Sequence, residues 1–348
     1  MNPLTRLRSS QSGALGILLL FGVVLVALAV SVKLQQCNVT QGGLPFFVNI
    51  AIQGLANGAI YALIALGYTM VYGIIELINF AHGDVFTLGA FFSLPLLGLF
   101  GLTEGKEFTI VTALLLLLVL VIVMALTGGV NVLIERVAYR PLRNSPRLAP
   151  LITAVGMSFI LEGIMFLWRG PFNLHYPDIL PATRVNLLGN AYVGIKDMVV
   201  VGVAIVLVIA LSLFVNRSKL GKAMRATAQD RDASQLMGID INRTIAATFF
   251  IGAVLAAAGG IIYGLYFNSV DFQLGFSAGL VAFTAAVFGG IGNIQGAALG
   301  GLIIGMLQAY NDGYCSSAWT RVLIFGILIL VLVFRPSGLL GSRLGDKA

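Results

Sequence analysis

Long apolar runs, separated by short polar segments, recur along the whole chain. A membrane-spanning helix needs about 20 predominantly apolar residues, and ten runs approach that length. They cover Ala14–Val32, Phe46–Tyr68, Val85–Leu102, Ile110–Ile134, Leu151–Trp168, Met198–Val215, Ile245–Phe267, Ala278–Ile291, Ala297–Ala309 and Val322–Phe334. The pattern predicts an all-α polytopic membrane protein with about ten transmembrane helices.

The composition excludes other classes of protein. Of the 348 residues, 58% are hydrophobic and only 10% are charged, whereas a soluble domain carries about 25% charged residues. This is too little charge to cover a globular surface, and the high hydrophobicity excludes a disordered chain. The net charge of +7 does not indicate nucleic-acid binding, because the charged residues lie between the apolar runs.

The distribution of Lys and Arg predicts the orientation in the membrane. If the N-terminus lies in the cytoplasm and the ten runs alternate, fifteen of the 21 Lys and Arg residues fall on the cytoplasmic side and six outside. Cytoplasmic loops of membrane proteins carry such an excess. We therefore expect both termini to be cytoplasmic.

The first run has two interpretations. Arg6, Arg8, the apolar residues after them and Ala27-Leu28-Ala29 could form a cleaved signal peptide. We favour an uncleaved transmembrane helix, because the apolar stretch continues to Val32.

The two cysteines, Cys37 and Cys315, both fall on the outer side in this topology. They are either two thiols without a function or a disulfide that joins the first outer loop to the last. An oxidising periplasm would permit the disulfide.

The most informative polar segment is the loop of residues 216–244. Lys222–Met237 contains strong helix formers and neither Pro nor Gly, and Gly238 follows as the expected residue just past a helix end. Such a helix either lies on the membrane surface or docks in a groove of a cytoplasmic partner. Its central acidic residues and small alanines make it a poor lipid binder, so we favour the partner.

Polar side chains at membrane depth form a stripe on the second predicted helix. Asn49, Gln53, Asn57 and Tyr61 are spaced by four residues and share one helix face. Polar groups in the membrane are paired, buried in the bundle or exposed to a wet path. The stripe therefore either bonds to a neighbouring helix or forms one wall of a translocation path.

A second polar group precedes the third predicted helix and contains Glu76, Asn79, His82 and Asp84. We expect Asp84 to cap that helix and Gly83 to permit a sharp turn before it. Glu162 lies inside the fifth run. A charged carboxylate at mid-bilayer costs about 2.5–3.5 kcal/mol on insertion scales. It should therefore be protonated, paired or next to a wet cavity.

Glycines four residues apart indicate close helix contacts towards the C-terminus. They are Gly260 and Gly264, Gly292, Gly296 and Gly300, and Gly301 and Gly305. The segment 289–296 also predicts a helix interruption.

No enzymatic centre is visible in the sequence. It has no phosphate-binding loop, because Gly221-Lys222 is followed by Ala223, and it has no H-E-x-x-H or G-x-S-x-G motif. With two His and two Cys, a metal site is improbable. We expect no cofactor bound by this chain.

Several ordered motifs resemble one family. They are YALIALGYTMVYGII at 61–75, LINFAHGD at 77–84, IERVAYRPL at 134–142, MRATAQDR at 224–231, AFTAAVFGGIG at 282–292 and FRPSGLLG at 334–341. Together they are similar to the LivH-like permease subunits of bacterial ABC importers for branched-chain amino acids.

The resemblance covers about residues 46–341 and implies a type II ABC importer-like permease fold in the bacterial inner membrane. It divides the chain into an N-terminal extension with an extra helix (1–45), a permease domain (46–341) and a cytoplasmic tail (342–348). It implies a second, LivM-like permease, two ATP-binding subunits that hold ATP and Mg²⁺, and a periplasmic solute-binding protein.

The resemblance also implies that the 216–244 loop docks on an ATPase. Its coupling residues would be Lys222, Arg225, Asp230, Arg231 and Gly238. The expected cargo is a neutral amino acid, while urea or a short amide would suit the amide-rich wall equally well. A different class, the ion-coupled secondary transporters, would use Glu76, His82 or Glu162 as a proton relay.

Overall fold

The computed structural model describes residues 43–143, 145–146, 148–188 and 191–341. Within them, the α-helices are α1 (Gly43–Ile75), α2 (His82–Leu99), α3 (Ile110–Ile134), α4 (Leu148–Arg169), α5 (Ile195–Arg217), α6 (Lys219–Gln229), α7 (Arg231–Leu236), α8 (Ile241–Phe267), α9 (Leu274–Gly289), α10 (Ile294–Tyr314) and α11 (Thr320–Phe334). The predicted run Ala14–Val32, and with it the signal-peptide alternative, lies outside the described residues.

Short elements extend or connect these helices. A π-helical turn (Glu135–Tyr139) and a 3-10 turn (Arg140–Leu142) continue α3, and a 3-10 turn (Ser317–Trp319) precedes α11. The described residues also form four short strands: β1 (Leu174–His175), β2 (Arg184–Leu188), β3 (Ala191–Gly194) and β4 (Ser269–Val270). They form two antiparallel pairs, β1 with β4 and β2 with β3. The all-α expectation missed these pairs, because strands of two to five residues leave no apolar run.

The polytopic architecture is confirmed. Each of the nine predicted runs from Phe46 onward coincides with a helix over most of its length. Seven helices of the described chain are long and apolar enough to cross a membrane: α1, α2, α3 with its extension, α4, α5, α8 and α11 with the turn before it. The helix α9 is apolar but shorter. The total of ten crossings and the cytoplasmic position of both termini stay predictions.

The helices divide into a buried core and an exposed periphery. In an apolar stretch of 18 residues in α1 and in α8, 78% and 72% of the residues are buried. In the corresponding stretch that contains α11, only 11% are buried. The helices α3, α4 and α5 are similarly exposed, at 22% each. Apolar side chains cover these outer faces, so the faces suit contact with lipid or with another membrane subunit.

The core depends on a close approach of α1 and α10. A Cβ atom added to Gly54 would lie 2.9 Å from the Met306 Cα, and one added to Gly58 would lie 2.7 Å from the Leu302 Cα. On α10, Gly301 and Gly305 face α1 at equally short range. The predicted use of Gly301 and Gly305 for close helix contact is confirmed, because side chains there would force the helices apart.

The predicted interruption after α9 is also present. Gly290 and Gly292 have φ values of +110° and +92°, which favour glycine, and α10 begins only at Ile294. The segment Arg335–Gly341 packs against this break. The amide of Leu339 donates to the Phe288 carbonyl at 2.9 Å. The end of the described chain therefore closes the α9–α10 connection.

The bundle has two chemically different ends. The basic end carries the extension of α3, the 216–244 loop and the segment Arg335–Gly341, and the hairpin end carries the β2–β3 hairpin and the β1–β4 pair. At the hairpin end Tyr176 is buried, and burial raises the pKa of its hydroxyl. That hydroxyl lies 2.6 Å from the Ser93 Oγ, which ties the connection after α4 to α2.

Candidate functional site: a basic-end loop and two cavities

The 216–244 loop folds as two short helices rather than one. Asp230 is extended, with φ −153° and ψ 115°, and its Oδ1 accepts a hydrogen bond from the Ala233 amide at 3.0 Å. The prediction of a single helix over Lys222–Met237 is wrong, because Asp230 caps the second helix instead of continuing the first. Asp side chains compete with the helix in this way when they sit at an N-cap.

The end of α7 confirms the prediction for Gly238. Its φ is +83°, and its amide donates to the Gln235 carbonyl at 3.0 Å. The amide of Ile239 donates to the Ser234 carbonyl, also at 3.0 Å. This pair of bonds is the Schellman motif, which needs a left-handed residue after the helix.

Two of the predicted coupling residues bond to the ends of bundle helices. Arg225 donates from Nη1 to the Val215 carbonyl, and Arg231 donates from Nη2 to the Ile74 carbonyl at 2.8 Å. Both carbonyls lie in the last turn of a helix, α5 and α1, where no helical amide can reach them. A guanidinium also suits the negative end of a helix. The two arginines therefore attach the loop to the ends of α5 and α1.

The outward face of the loop is different. Lys222 is exposed, and Leu236 and Met237 are 89% and 83% exposed at the end of α7. Two large apolar side chains at a polar turn are an unusual exposed feature and suit insertion into a partner. The buried face of α6 carries Met224 and Thr227, which the sequence did not single out.

A cavity of about 850 Å³ opens at the basic end beneath this loop. Its wall includes Glu76 after α1, Arg143 after α3, and Asp230 and Arg231 of the loop. Glu76 has a φ of +57°, and its amide closes α1 by donating to the Tyr72 carbonyl. Arg143 pairs with the buried Glu135, while burial lowers the pKa of the guanidinium and the Glu135 charge opposes that shift. The cavity thus lies between the loop and the end of α1.

The four residues of the predicted polar stripe on α1 have different surroundings. The Asn49 Oδ1 accepts from the Tyr192 amide at 2.9 Å, which fixes α1 to the β2–β3 hairpin. Gln53 is exposed, and the Asn57 Oδ1 is buried without a hydrogen-bond partner in the described part of the chain. The Tyr61 hydroxyl donates to the Gln308 Oε1 at 2.9 Å. Of these contacts, the Tyr61 bond joins two helices, whereas the Asn49 bond joins a helix to a strand.

Tyr61 also lines a second cavity, of about 470 Å³, towards the hairpin end. The cavity is enclosed by α1, α8, α9, α10 and α11, and Gln308, Asp312 and Arg321 contribute polar groups to its wall. The Asp312 Oδ1 accepts a hydrogen bond from the Thr320 hydroxyl. Gln308, Asp312 and Arg321 were not predicted, because each is a single polar residue near the end of an apolar run.

The polar group before α2 is a buried contact between helices. Asp84 does not cap α2: the helix begins at His82 without a side-chain cap, and the Asp84 Oδ2 accepts from the Ser158 hydroxyl of α4. Gly83 forms no turn either, since it packs against Gly275 of α9 too tightly for a Cβ atom. The reason for both corrections is that α2 starts at His82, three residues earlier than predicted.

The remaining predicted residues have separate positions. The Asn79 Oδ1 accepts from the Tyr139 hydroxyl at 2.6 Å, and His82 is fully buried with its ring against Gly67. Glu162 is half-buried on α4. Cys315 follows α10, whereas Cys37 lies outside the described residues, so the disulfide stays a prediction. Within the described ranges, no group of three or more His, Cys, Asp or Glu residues could hold a metal ion.

Known proteins resemble this chain over most of its length. The family described as "Branched-chain amino acid transport system / permease component" matches residues 50–332. The chain is 42% identical over 302 residues to the high-affinity branched-chain amino acid transport system permease protein BraD of Pseudomonas aeruginosa, covering 85% of this chain and 96% of the relative.

Other relatives agree. LivH of Escherichia coli, a permease protein of the same type of system, is 40% identical over 308 residues, covering 87% of this chain and 98% of LivH. A probable LivH of Methanocaldococcus jannaschii is 30% identical over 295 residues, covering 80% and 88%. No solved structure shows a significant match to the chain.

Proposed function

The chain belongs to the family of permease components of branched-chain amino acid transport systems, and from this membership we propose that it forms half of the membrane path of an ATP-driven importer. A second, LivM-like permease forms the other half. The cargo is a branched-chain or other neutral, hydrophobic amino acid, as the names of the relatives suggest. The chain is a transport component and not itself an enzyme.

The orientation follows from charge. The basic end lies in the cytoplasm of a bacterial inner membrane, because Lys- and Arg-rich loops favour that side. The hairpin end then faces the periplasm and receives cargo from a solute-binding protein. Two ATP-binding subunits dock at the basic end and hold the ATP and Mg²⁺.

The observation that carries the proposal is the two-sided 216–244 loop. Its outer side presents Leu236 and Met237, and its inner side attaches to α1 through Arg231. A partner that holds Leu236 and Met237 differently in its ATP-bound and ATP-free states would move α1 as well. Such differential contact is what shifts a membrane bundle between outward-open and inward-open states.

The docking half of the proposal is tested by Leu236→Ser with Met237→Ser in the assembled importer. Burying each side chain in a partner groove contributes about 1.5–3 kcal/mol, so their loss should weaken ATPase binding at least tenfold. The measurement is co-purification of the ATP-binding subunits with the permease. The control is Val137→Ser, which alters an exposed apolar residue on the extension of α3. If the double variant keeps its ATPase subunits as the control does, the docking assignment is wrong.

Energy coupling distinguishes this function from an ion-coupled transporter. Uptake should continue when a protonophore collapses the proton gradient while ATP is maintained. A transporter with Glu76, His82 or Glu162 as a proton relay would stop under that condition. Competition by L-leucine, but not by urea, separates the amino-acid cargo from the short-amide alternative.

A further inference from the structure

The cavity at the hairpin end combines two kinds of wall. One part is polar and contains Tyr61, Gln308, Asp312 and Arg321, and the other part is apolar and includes Leu274 and Ile324. Its volume of about 470 Å³ falls within the roughly 300–1,000 Å³ that small-molecule sites occupy. A ligand that fills such a cavity needs a polar head and an apolar body.

The polar wall carries one charge of each sign on different helices. Asp312 lies in the last turn of α10, and Arg321 lies in the first turn of α11. Neither belongs to any ion pair between described residues, and Asp312 is held by the neutral hydroxyl of Thr320. A carboxylate and a guanidinium that do not neutralise each other can receive a ligand with both charges. Arginine in particular matches the two oxygens of a carboxylate.

The neutral polar groups lie beside these charges. Tyr61 and Gln308 bond to each other across the α1–α10 contact. An amide and a phenol can exchange such a bond for bonds to a ligand at little cost, because both groups donate and accept. Tyr61 and Gln308 therefore suit a ligand that binds transiently.

We propose that this cavity binds the head of a hydrophobic amino acid during import, with Asp312 holding the ammonium group and Arg321 the carboxylate. The apolar wall then receives the aliphatic side chain. The proposal rests on the proposed function and deepens it, because it places amino-acid recognition in the permease as well as in the binding protein. A urea-type cargo has neither charge and would gain nothing from the pair.

The first test is transport by the complete importer, with its second permease, ATP-binding subunits and binding protein, in proteoliposomes. Asp312→Asn and Arg321→Gln should each lower the uptake of labelled L-leucine at least tenfold. The ATP-binding subunits should still co-purify with both variants, because the variants leave the 216–244 loop intact. Asp312→Asn also keeps an acceptor for Thr320 and removes only the charge.

The matched controls are Glu104→Gln and Lys106→Gln. Both residues are exposed at the same end of the molecule and lie outside this cavity. Their uptake should stay within twofold of the unsubstituted importer. If the cavity variants behave like these controls, the assignment of the cavity is wrong.

The second test measures occupancy without transport. Ser277 lines the same cavity and is exposed, so Ser277→Cys in the assembled importer offers a thiol for maleimide labelling, located by peptide mass analysis. L-leucine at millimolar concentration should slow the labelling at least threefold. Isoamylamine, which lacks the carboxylate, and 4-methylpentanoate, which lacks the ammonium, should not.

The two proposals fail in different ways. Normal ATP-driven leucine uptake together with unprotected Ser277→Cys refutes the cavity and leaves the permease function intact. Protection by all three probes alike also refutes it, since the site would then recognise only the aliphatic chain. No leucine uptake by the unsubstituted importer refutes the proposed function and this inference with it.

Discussion

Replacing Arg231 by Met tests whether the 216–244 loop acts on the bundle through its attachment to α1. The substitution keeps an unbranched apolar stem but removes the guanidinium that donates to the Ile74 carbonyl at 2.8 Å. The loop itself should stay folded, because the Asp230 cap, the Arg225 bond and the buried face of α6 are unchanged. Only its attachment to the end of α1 is removed.

The size of the effect follows from the bond that is lost. A hydrogen bond to a charged group contributes about 1.5–3 kcal/mol, and Arg231 is only partly buried, so the lower value applies. About 1.4 kcal/mol is a factor of ten in an equilibrium. The equilibrium between the separated and the attached loop should therefore shift about tenfold towards separation, and fewer leucine molecules should be carried for each ATP hydrolysed.

The assay measures leucine uptake and ATP hydrolysis on the same proteoliposomes. Arg231→Met should retain its ATP-binding subunits, in contrast to the Leu236→Ser and Met237→Ser pair, while the ratio of uptake to hydrolysis falls. Arg243→Met is the control, since Arg243 is exposed in the same region and pairs only locally with Asp240. An unchanged ratio in Arg231→Met, with the bond to Ile74 absent, would refute this account of coupling.

Two further predictions concern the packing of the bundle. Gly58→Leu should prevent α1 and α10 from meeting and lower stability by about 1–3 kcal/mol or more, seen as early loss of the monodisperse peak on heating and size-exclusion chromatography. Gly326→Leu, with open space around its Cβ position, should behave as the parent, and equal stability of the two variants would contradict the contact. Ser158→Ala removes the donor to the buried Asp84 and should cost about 1–3 kcal/mol in the same assay. The control is Thr153→Ala, which removes only a local helix bond. If Ser158→Ala loses no more stability than Thr153→Ala, the α2–α4 contact is contradicted.

The parts of the fold that depend on local chemistry could be predicted from the sequence. Apolar runs of sufficient length became helices, the spacing of Gly301 and Gly305 indicated a close helix contact, and Gly238 marked a helix end. Each of these signals lies within a few consecutive residues. The break at Asp230 also had a local signal, since Asp is a favoured N-cap, but the helix propensity of its neighbours outweighed it.

The parts of the site that depend on tertiary contacts could not be predicted. Arg231 and Ile74 are separated by 157 positions and Asp84 and Ser158 by 74, so no spacing rule relates them. Arg231 was predicted as a coupling residue from the family resemblance, which says nothing about its contacts within the chain. Its bond to the Ile74 carbonyl at the end of α1 became visible only in the fold.

The helix α1 contributes to the walls of both cavities. This helix lines the hairpin-end cavity at Tyr61 and the basic-end cavity at Ile74, positions about 20 Å apart at 1.5 Å per residue. At Gly54 and Gly58 the backbone of α1 packs directly against α10, so the two helices meet there without large side chains between them. A displacement that begins at Arg231 can then reach the Tyr61–Gln308 bond as a rigid-body shift. The helix that the loop holds is thus also the helix that contacts the proposed cargo site.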